Sequence, residues 1–345
     1  MNPEESVELV SRNTAEIVTD KELSEICQKK EPTAYIGYAP TGTMHIGHFT
    51  TIRKIADFVD AGFKFKILIA DVHAELDIEK SPRELIDART EYYTEAIKGM
   101  LEACYIDTSD LEFVRGSDFQ HSPEYQKGYM KLMESMTVNR AERSVNEVVR
   151  HSDGMKASAL LYSAMQIMDC AEQGLDVDLA YAGLDQRRIY MLGRESMPKI
   201  GQEGPTCVFA PLLSGLTGGK MSASNEDSKI SIHDAPEIVV EKVESAYCPQ
   251  GELEDNGVLE YAQHLVFPIL EKNGDELVIE RPEKYGGDIK YSNYKDLEKD
   301  FLDEDLHPQD LKKAVGKAIA EILKPVNKRL EGKEKLLEKA YPEEF

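Results

Sequence analysis

This chain of 345 residues lacks several common features, and each absence closes a possibility. No apolar run approaches the roughly 18–20 residues that a membrane-spanning helix needs, so no membrane partner is expected. The opening residues, Met1-Asn2-Pro3-Glu4-Glu5, supply neither the basic nor the apolar region of a signal peptide. Cysteine is sparse: Cys27, Cys104, Cys170, Cys207 and Cys248 are odd in number, widely spaced and free of any C-x-x-C pair. That pattern argues for reduced thiols in a cytoplasm and against a zinc site, so no protein-held metal is expected. Positive charge is also short, with 41 Lys and Arg against 64 Asp and Glu and a formal charge of −23. A surface attracted as a whole to nucleic acid is therefore excluded, because Lys and Arg dominate phosphate affinity.

The deficit is not uniform. Between residues 311 and 340 there are nine basic residues, including Lys312, Lys313, Lys317 and Arg329, against four acidic ones. Such a run serves either as a solvated helix face or as a patch for an anionic partner, and composition alone leaves both open. The acidity elsewhere is compatible with a salt-rich cytoplasm, where a hydrated acidic surface keeps a protein soluble.

Apolar periodicity gives a series of alternating elements. Residues 33–39 form a first buried strand and 47–61 the helix after it. A second strand covers 64–72, a long amphipathic helix 83–103, and a short strand 111–115. Helices fill 122–150 and 157–173, followed by a strand at 176–181, a helix at 185–197 and a last strand at 206–211. Alternation of this kind predicts right-handed βαβ units and an α/β fold with a doubly wound parallel sheet, which binds ligands beyond the carboxyl ends of its strands. From about residue 235 the pattern turns mainly helical, with an irregular or hairpin insert at 276–290 and a long helix at 307–329. Two domains are expected: 1–232, including the helical insertion 122–150, and a smaller α-helical domain at 233–345.

Two short strings carry the chemistry. His45-Ile46-Gly47-His48 follows the strand and turn Tyr35-Ile36-Gly37-Tyr38-Ala39-Pro40-Thr41-Gly42. A strand ending in a glycine-containing turn at a helix N-terminus is an anion site, where unpaired N–H groups and the helix dipole favour phosphate. Two imidazoles one turn apart add donors. Lys220-Met221-Ser222-Ala223-Ser224 follows Gly218-Gly219. Alone it reads as a surface loop; after an apolar strand and downstream of the histidines, Lys220 becomes a mobile cation for a polyphosphate. A third string, Tyr162-Ser163-Ala164-Met165-Gln166-Ile167-Met168-Asp169, places Tyr162, Gln166 and Asp169 on one helix face at i, i+4 and i+7.

These strings together resemble the tyrosyl-tRNA synthetase family, class I, of the archaeal and eukaryotic-cytoplasmic type. The likeness runs from about Tyr35 to the basic C-terminal helix. It implies a Rossmann-like catalytic domain followed by an anticodon-binding domain. The implied reaction activates L-tyrosine with ATP, as its Mg²⁺ complex, to tyrosyl-adenylate and then esterifies the 3′ end of tRNA(Tyr). By resemblance, His45, His48 and Lys220 are catalytic. Tyr35 and Asp169 hold the substrate phenol, and Tyr162, Gln166 and Gln186 its ammonium and carboxylate end. ATP is expected at Gly37, Thr41, Gly42 and Gly47, at Gly183 and Asp185, and at Met221, Ser222, Ala223 and Ser224. Asp185 has a second reading as the N-cap of the following helix, and Asp310 has the same alternative.

The anticodon domain is matched by Arg281-Pro282-Glu283-Lys284-Tyr285-Gly286-Gly287 and by His307-Pro308-Gln309-Asp310. The resemblance assigns tRNA contacts to Pro282, Tyr285, His307 and Asp310, with Arg143 and Arg187 at the acceptor end. It also implies a cytoplasmic homodimer. Three other readings stay open at this stage: a tryptophanyl enzyme, disfavoured by Tyr35 with Asp169; a non-catalytic RNA-binding relative, disfavoured by the presence of both His48 and Lys220; and a generic nucleotidyltransferase, which would not need the 307–310 segment.

Overall fold

The computed structural model describes residues 1–77, 80–146, 148, 155–219 and 228–344. The expected residues Lys220, Met221, Ser222, Ala223 and Ser224 lie outside the described residues, as do 147 and 149–150 at the end of the 122–150 insertion.

A six-stranded sheet forms the centre, built from β1 (Glu16–Val18), β2 (Thr33–Tyr38), β3 (Lys64–Ile69), β4 (Glu112–Arg115), β5 (Leu179–Gly183) and β6 (Thr206–Ala210). Its spatial order is β1-β6-β5-β2-β3-β4. Strand β6 is buried at every position, as expected of a strand covered on both faces by helices. The chain steps outward from β2 to β3 and β4, then returns to place β5 on the other side of β2. The order therefore reverses between β2 and β5. These two strands pair only at Ala34↔Leu179 and Tyr35↔Ala180. Beyond that point they part, and Gly37 and Gly183 face an open crevice at the switch point.

Helices α3 (Ile46–Asp60) and α5 (Ile86–Ala103) carry the chain between β2, β3 and β4. On the other half, α6 (Pro123–Glu134), α7 (Val138–Val145), α8 (Ala157–Met168) and α9 (Arg187–Ser196) pack on one another around Tyr125, Leu132, Met168 and Ile189. Helices α10 (Pro236–Ser245), α11 (Gly257–Tyr261), α12 (Phe267–Asn273), α13 (Tyr294–Leu302), α14 (Pro308–Leu330) and α15 (Glu334–Ala340) follow. A hairpin of β7 (Leu277–Ile279) and β8 (Ile289–Tyr291) is inserted among them, where a hairpin or irregular insert was expected. Helix α14 lies on α5 as well as α10. Gly99 permits this approach, since an added Cβ there would sit 3.0 Å from the Val326 Cα.

The structure departs from the expected elements in four places. Helix α1 (Pro3–Ser11), β1 and α2 (Asp20–Ile26) precede the first expected strand. β1 runs antiparallel to β6, so the sheet is parallel except at that edge; three residues are too few to show a period. The second strand stops at Ile69, and α4 (Asp71–Leu76) begins where Val72 continues the apolar run. Helix α8 ends with Asp169 as its C-cap instead of reaching 173. The strand after it starts at Leu179 rather than 176, following Asp176 at a φ of 50°.

Candidate active site

The histidine motif caps its own helix. His45 is the N-cap of α3, and its Nδ1 accepts the Gly47 N–H at 3.2 Å. The His48 Nδ1 accepts the His45 N–H at 3.3 Å, completing a capping box made of two imidazoles. Both Nδ1 atoms are acceptors, so in each neutral ring the proton sits on Nε2, which is left to donate. Burial holds the His45 pKa well below 6.5, with help from His48 and Lys229. Burial likewise brings His48 down to about 4. Both rings are neutral donors near pH 7.

One expectation is corrected here. The first N–H groups of α3 are not unpaired: Ile46 N–H donates to Ile230 at 2.9 Å, Gly47 to His45 Nδ1, and His48 N–H to the His45 carbonyl at 2.9 Å. An imidazole at the N-cap reaches the amide that a phosphate would otherwise take, so the donor each ring offers is its Nε2–H. The Ile46–Ile230 bond, a bridge between His45 and Ser231, and the Ile232 N–H to Met44 carbonyl bond fasten the segment after 220–227 to the histidines.

A cavity of about 450 Å³ opens at the switch point. At one end its walls include Gly37, Thr41, His45, Gly47 and His48. At the other are Tyr35, Tyr162, Gln166, Asp169 and Gln186, with Gly183 and Asp185 between. Gly42 stands just outside the wall. Thus segments far apart in sequence, 35–48, 162–169 and 183–186, meet in one crevice. Asp185 belongs to a short turn before α9 and makes no side-chain cap of that helix, so the capping alternative is not what the structure shows. An added Cβ on Gly183 would lie 2.5 Å from the Asp185 Oδ1, so glycine lets that carboxylate keep its place.

The Asp169 carboxylate is almost fully buried. Its Oδ1 accepts from Gln120 Nε2 at 2.7 Å and from the Tyr125 hydroxyl at 2.8 Å. Its Oδ2 accepts no hydrogen bond from the described residues, and His73 Nε2 stands 3.7 Å away. Burial raises the Asp169 pKa to about 7, against the lowering effect of Gln120 and Tyr125. The Tyr35 hydroxyl lies 2.9 Å from that of Tyr190 and 3.4 Å from the Gln166 carbonyl. Gln166 Nε2 donates to Gln186 Oε1 at 3.2 Å, and Gln186 Nε2 to Asp185 Oδ2 at 3.1 Å, linking the two ends of the cavity. Both His73 ring nitrogens, Gln120 Oε1 and Gln166 Oε1 are buried without a hydrogen-bond partner among the described residues. Orphaned buried polar atoms are rare, and of these residues His73 and Gln166 line the cavity, which marks it as built for a polar guest.

His73, Gln120, Tyr125 and Tyr190 were missed in the sequence. A signal existed for three of them. His73 and Gln120 follow the carboxyl ends of β3 and β4, where such sheets place ligand-binding residues. Tyr190 lies four residues beyond Gln186, on the same helix face. Nothing marked Tyr125.

The expected tRNA residues lie outside the cavity. Tyr285 is 62% exposed, under the Lys284 ammonium at 4.6 Å from its ring centroid. Pro282 and His307 are exposed or partly so, as is Asp310. His307, not Asp310, caps α14, its Nδ1 accepting the Gln309 N–H at 3.1 Å. Arg281 joins the two segments by donating to the Gly287 carbonyl at 3.1 Å and the Asp305 carbonyl at 3.3 Å. Arg143 is exposed on α7, whereas Arg187 grips both oxygens of Glu16 on β1. Part of the basic 311–340 run is paired with carboxylates outside it, Lys317 with Glu280, Arg329 with Glu95 and Glu102, and Lys333 with Glu95. The patch reading loses three of its nine cations to these pairs. Among the described residues no group of three or more His, Cys, Asp or Glu side chains is arranged to hold a metal, and no helix is long and apolar enough to cross a membrane.

A doubly wound sheet with two neutral imidazoles beside its switch-point crevice is the architecture of a class I aminoacyl-tRNA synthetase. Residues 28–324 match the family described as tRNA synthetases class I (W and Y), and the chain belongs to that family. It is 52% identical over 345 residues to a tyrosine–tRNA ligase of Haloarcula marismortui, covering 100% of this chain and 99% of that one. A tyrosine–tRNA ligase of Natronomonas pharaonis is 51% identical over 346 residues, with 100% of both chains covered. Among solved structures, the tyrosyl-tRNA synthetase of Archaeoglobus fulgidus complexed with L-tyrosine superimposes with a TM-score of 0.88 at 40% identity, covering 95% of this chain and 99% of that one.

Proposed function

We propose that the switch-point cavity activates L-tyrosine with ATP, and that the chain is a tyrosine–tRNA ligase passing tyrosine on to the 3′ end of tRNA(Tyr). The observation that carries this is the buried Asp169 carboxylate with one open oxygen, beside the Tyr35 hydroxyl. A phenol O–H donates to that oxygen, and Tyr35 donates to the phenol oxygen. Phenylalanine would leave the second Asp169 oxygen buried without a donor and the Tyr35 hydroxyl with only its protein partners, which costs more than the lost contact alone. An indole N–H suits the acceptor but leaves the Tyr35 donor idle, which disfavours tryptophan.

Tyr162, Gln166 and Gln186 then face the ammonium and carboxylate, and the unpartnered Gln166 Oε1 is an acceptor for the ammonium. In the reaction a tyrosine carboxylate oxygen attacks the α-phosphorus of ATP. The new carboxyl–phosphate bond forms as the bond to pyrophosphate breaks and its electron pair leaves with that group. No base is required, so positioning and charge stabilisation carry the rate. The Nε2–H groups of His45 and His48 donate to phosphate oxygens as negative charge moves onto the leaving group. Gly37, Thr41, Gly42, Gly47 and Gly183 admit the nucleotide closely, and Asp185 accepts from its ribose hydroxyls. Lys220 to Ser224 complete the pyrophosphate site. Magnesium belongs to the substrate, carried on the ATP phosphates.

For tRNA, Tyr285 and His307 offer rings for a splayed base, Asp310 a guanine acceptor, and Pro282 and Arg143 flanking contacts. Arg187 joins them at the acceptor end on releasing Glu16. The catalytic unit is residues 1–232 and the anticodon unit 233–345, consistent with the sheet ending at Ala210 and helices dominating from Pro236. Met130 and Val138, 59% and 66% exposed on α6 and α7, support a homodimer through the 122–150 insertion. The five buried free cysteines suit a cytoplasm. Charging of a tRNA(Tyr) transcript tests the second step. Acylation with tyrosine that is lost in Tyr285→Ala and His307→Ala, with adenylate formation intact, is expected. Unchanged acylation in both variants would remove these residues from tRNA recognition.

A further inference from the structure

The chain beyond α14 ends against the turn that precedes the histidine motif. Tyr341 is 2% exposed and donates from its hydroxyl to the Gly42 carbonyl at 2.9 Å. Tyr93 on α5 donates to the same carbonyl at 2.7 Å. Glu344 accepts from the Thr43 hydroxyl at 2.8 Å. Arg89, also on α5 and 7% exposed, reaches both partners. Its Nε donates to the Ala340 carbonyl at 2.9 Å, and its Nη1 donates to the carbonyls of Thr41 and Lys80. Its guanidinium also lies 4.7 Å from the Tyr341 ring centroid. Tyr92 closes the group with its ring 5.3 Å from Tyr341, edge to face, and its hydroxyl accepting the Met44 N–H at 3.1 Å.

The carbonyls of Thr41 and Gly42 belong to no helix or strand ladder. Left to water, this turn would sample several shapes. Instead, both are captured by buried side chains, Arg89 and Tyr93 from α5 and Tyr341 from the far end of the chain. Thr41 lines the cavity at its histidine end, while none of the bonds in this group reaches Asp169 or Tyr35. Holding the turn therefore sets geometry at one end of the cavity only.

We propose that Tyr341, locked by Arg89, is a positioning residue for ATP: it fixes the 41–44 turn in the shape that receives the nucleotide. The inference rests on Thr41 and Gly42 being ATP-binding residues. Pyrophosphate exchange with the full chain tests it, reading the KM for ATP and for tyrosine separately. Tyr341→Phe keeps the ring on Tyr92 and Arg89 and removes one of two bonds to Gly42, so the KM for ATP rises about threefold. Tyr341→Ala also removes the ring, and the rise reaches about tenfold or more. The KM for tyrosine stays put in both. An unchanged KM for ATP in both variants, or equal rises for both substrates, would overturn the proposal. If Tyr341→Ala does not fold, Tyr341→Phe decides alone. Thr41→Ala separates the two levels: if it raises the KM for ATP while Tyr341 variants do not, positioning alone fails. If it too leaves the KM for ATP unchanged, the turn is not an ATP-binding element.

Discussion

Replacing Asp169 by asparagine perturbs one atom at the centre of the pocket. The substituted side chain is isosteric, and its one remaining carbonyl oxygen can still accept from Gln120 and Tyr125, which lie 2.7 and 2.8 Å from the parent Oδ1, so the supporting network survives. The change falls on Oδ2, which becomes an NH₂ group. Two donors, this amide and the phenol O–H, then face each other where a carboxylate accepted. A hydrogen bond to a charged partner contributes about 1.5–3 kcal/mol, which converts to a loss of roughly 10- to 150-fold in kcat/KM for tyrosine. The KM for ATP stays unchanged, because the histidine end of the cavity is untouched. The pH dependence gives a second reading of the same atom. With burial raising the Asp169 pKa to about 7, kcat/KM for tyrosine falls as the pH drops through 7 in the parent and is flat in Asp169→Asn. His73 and His48, at about 4, do not titrate in that window. The stability effect has the opposite sense. A carboxyl whose pKa is raised on folding stabilises the fold while protonated, and that contribution is lost as pH rises through about 7. The ligand-free asparagine variant therefore gains on the parent above pH 7 while losing activity. Steady-state pyrophosphate exchange from about pH 6 to 8, with thermal melts alongside, covers both. A variant within about twofold of the parent in kcat/KM for tyrosine, with the same pH profile, would refute the role of Asp169.

Two further outcomes follow from the same geometry. His45→Asn keeps a good N-cap but loses the Nε2–H donor, so kcat for exchange falls about 100-fold or more while the melting temperature barely moves; a large melting shift with normal kcat would make His45 merely a cap. Behind the histidines on α3, Arg53 and Lys54 are buried around Asp57, to which Arg12 also donates at 2.7 Å. Burial opposes ionisation of Asp57, yet Arg53 and Lys54 outweigh it and hold the pKa below the usual carboxylate range. Asp57→Ala leaves buried Arg53 and Lys54 without their carboxylate and costs about 3–5 kcal/mol in urea unfolding; a loss under about 1 kcal/mol would show the cluster to be dispensable.

Sequence patterning revealed what repeats and what is long. Strands β2, β3, β5 and β6 and helices α3, α5, α9 and α14 are continuous apolar runs or clear helical stripes, and their alternation implied a doubly wound sheet. The elements before β2 were missed: β1 has three residues, and its place at the sheet edge depends on pairing with β6 rather than on any period of its own. The site divides in the same way. Tyr162, Gln166 and Asp169 could be found because a helix puts them on one face, and the histidine motif because it is local. Tyr125 could not, since it matters only through a carboxylate 44 residues further along the chain, and Gln120 showed only its place after β4. The capping role of the imidazoles was hidden for a related reason: spacing shows that two rings share a turn, and only the geometry shows which nitrogen each spends on the backbone.

Amino-acid-dependent ATP–pyrophosphate exchange, run with each of the twenty amino acids, tests the central claim most directly. Exchange with tyrosine alone is the predicted result, since only a phenol satisfies Asp169 and Tyr35 together. Exchange driven by tryptophan or phenylalanine as readily as by tyrosine, or by no amino acid at all, would contradict it.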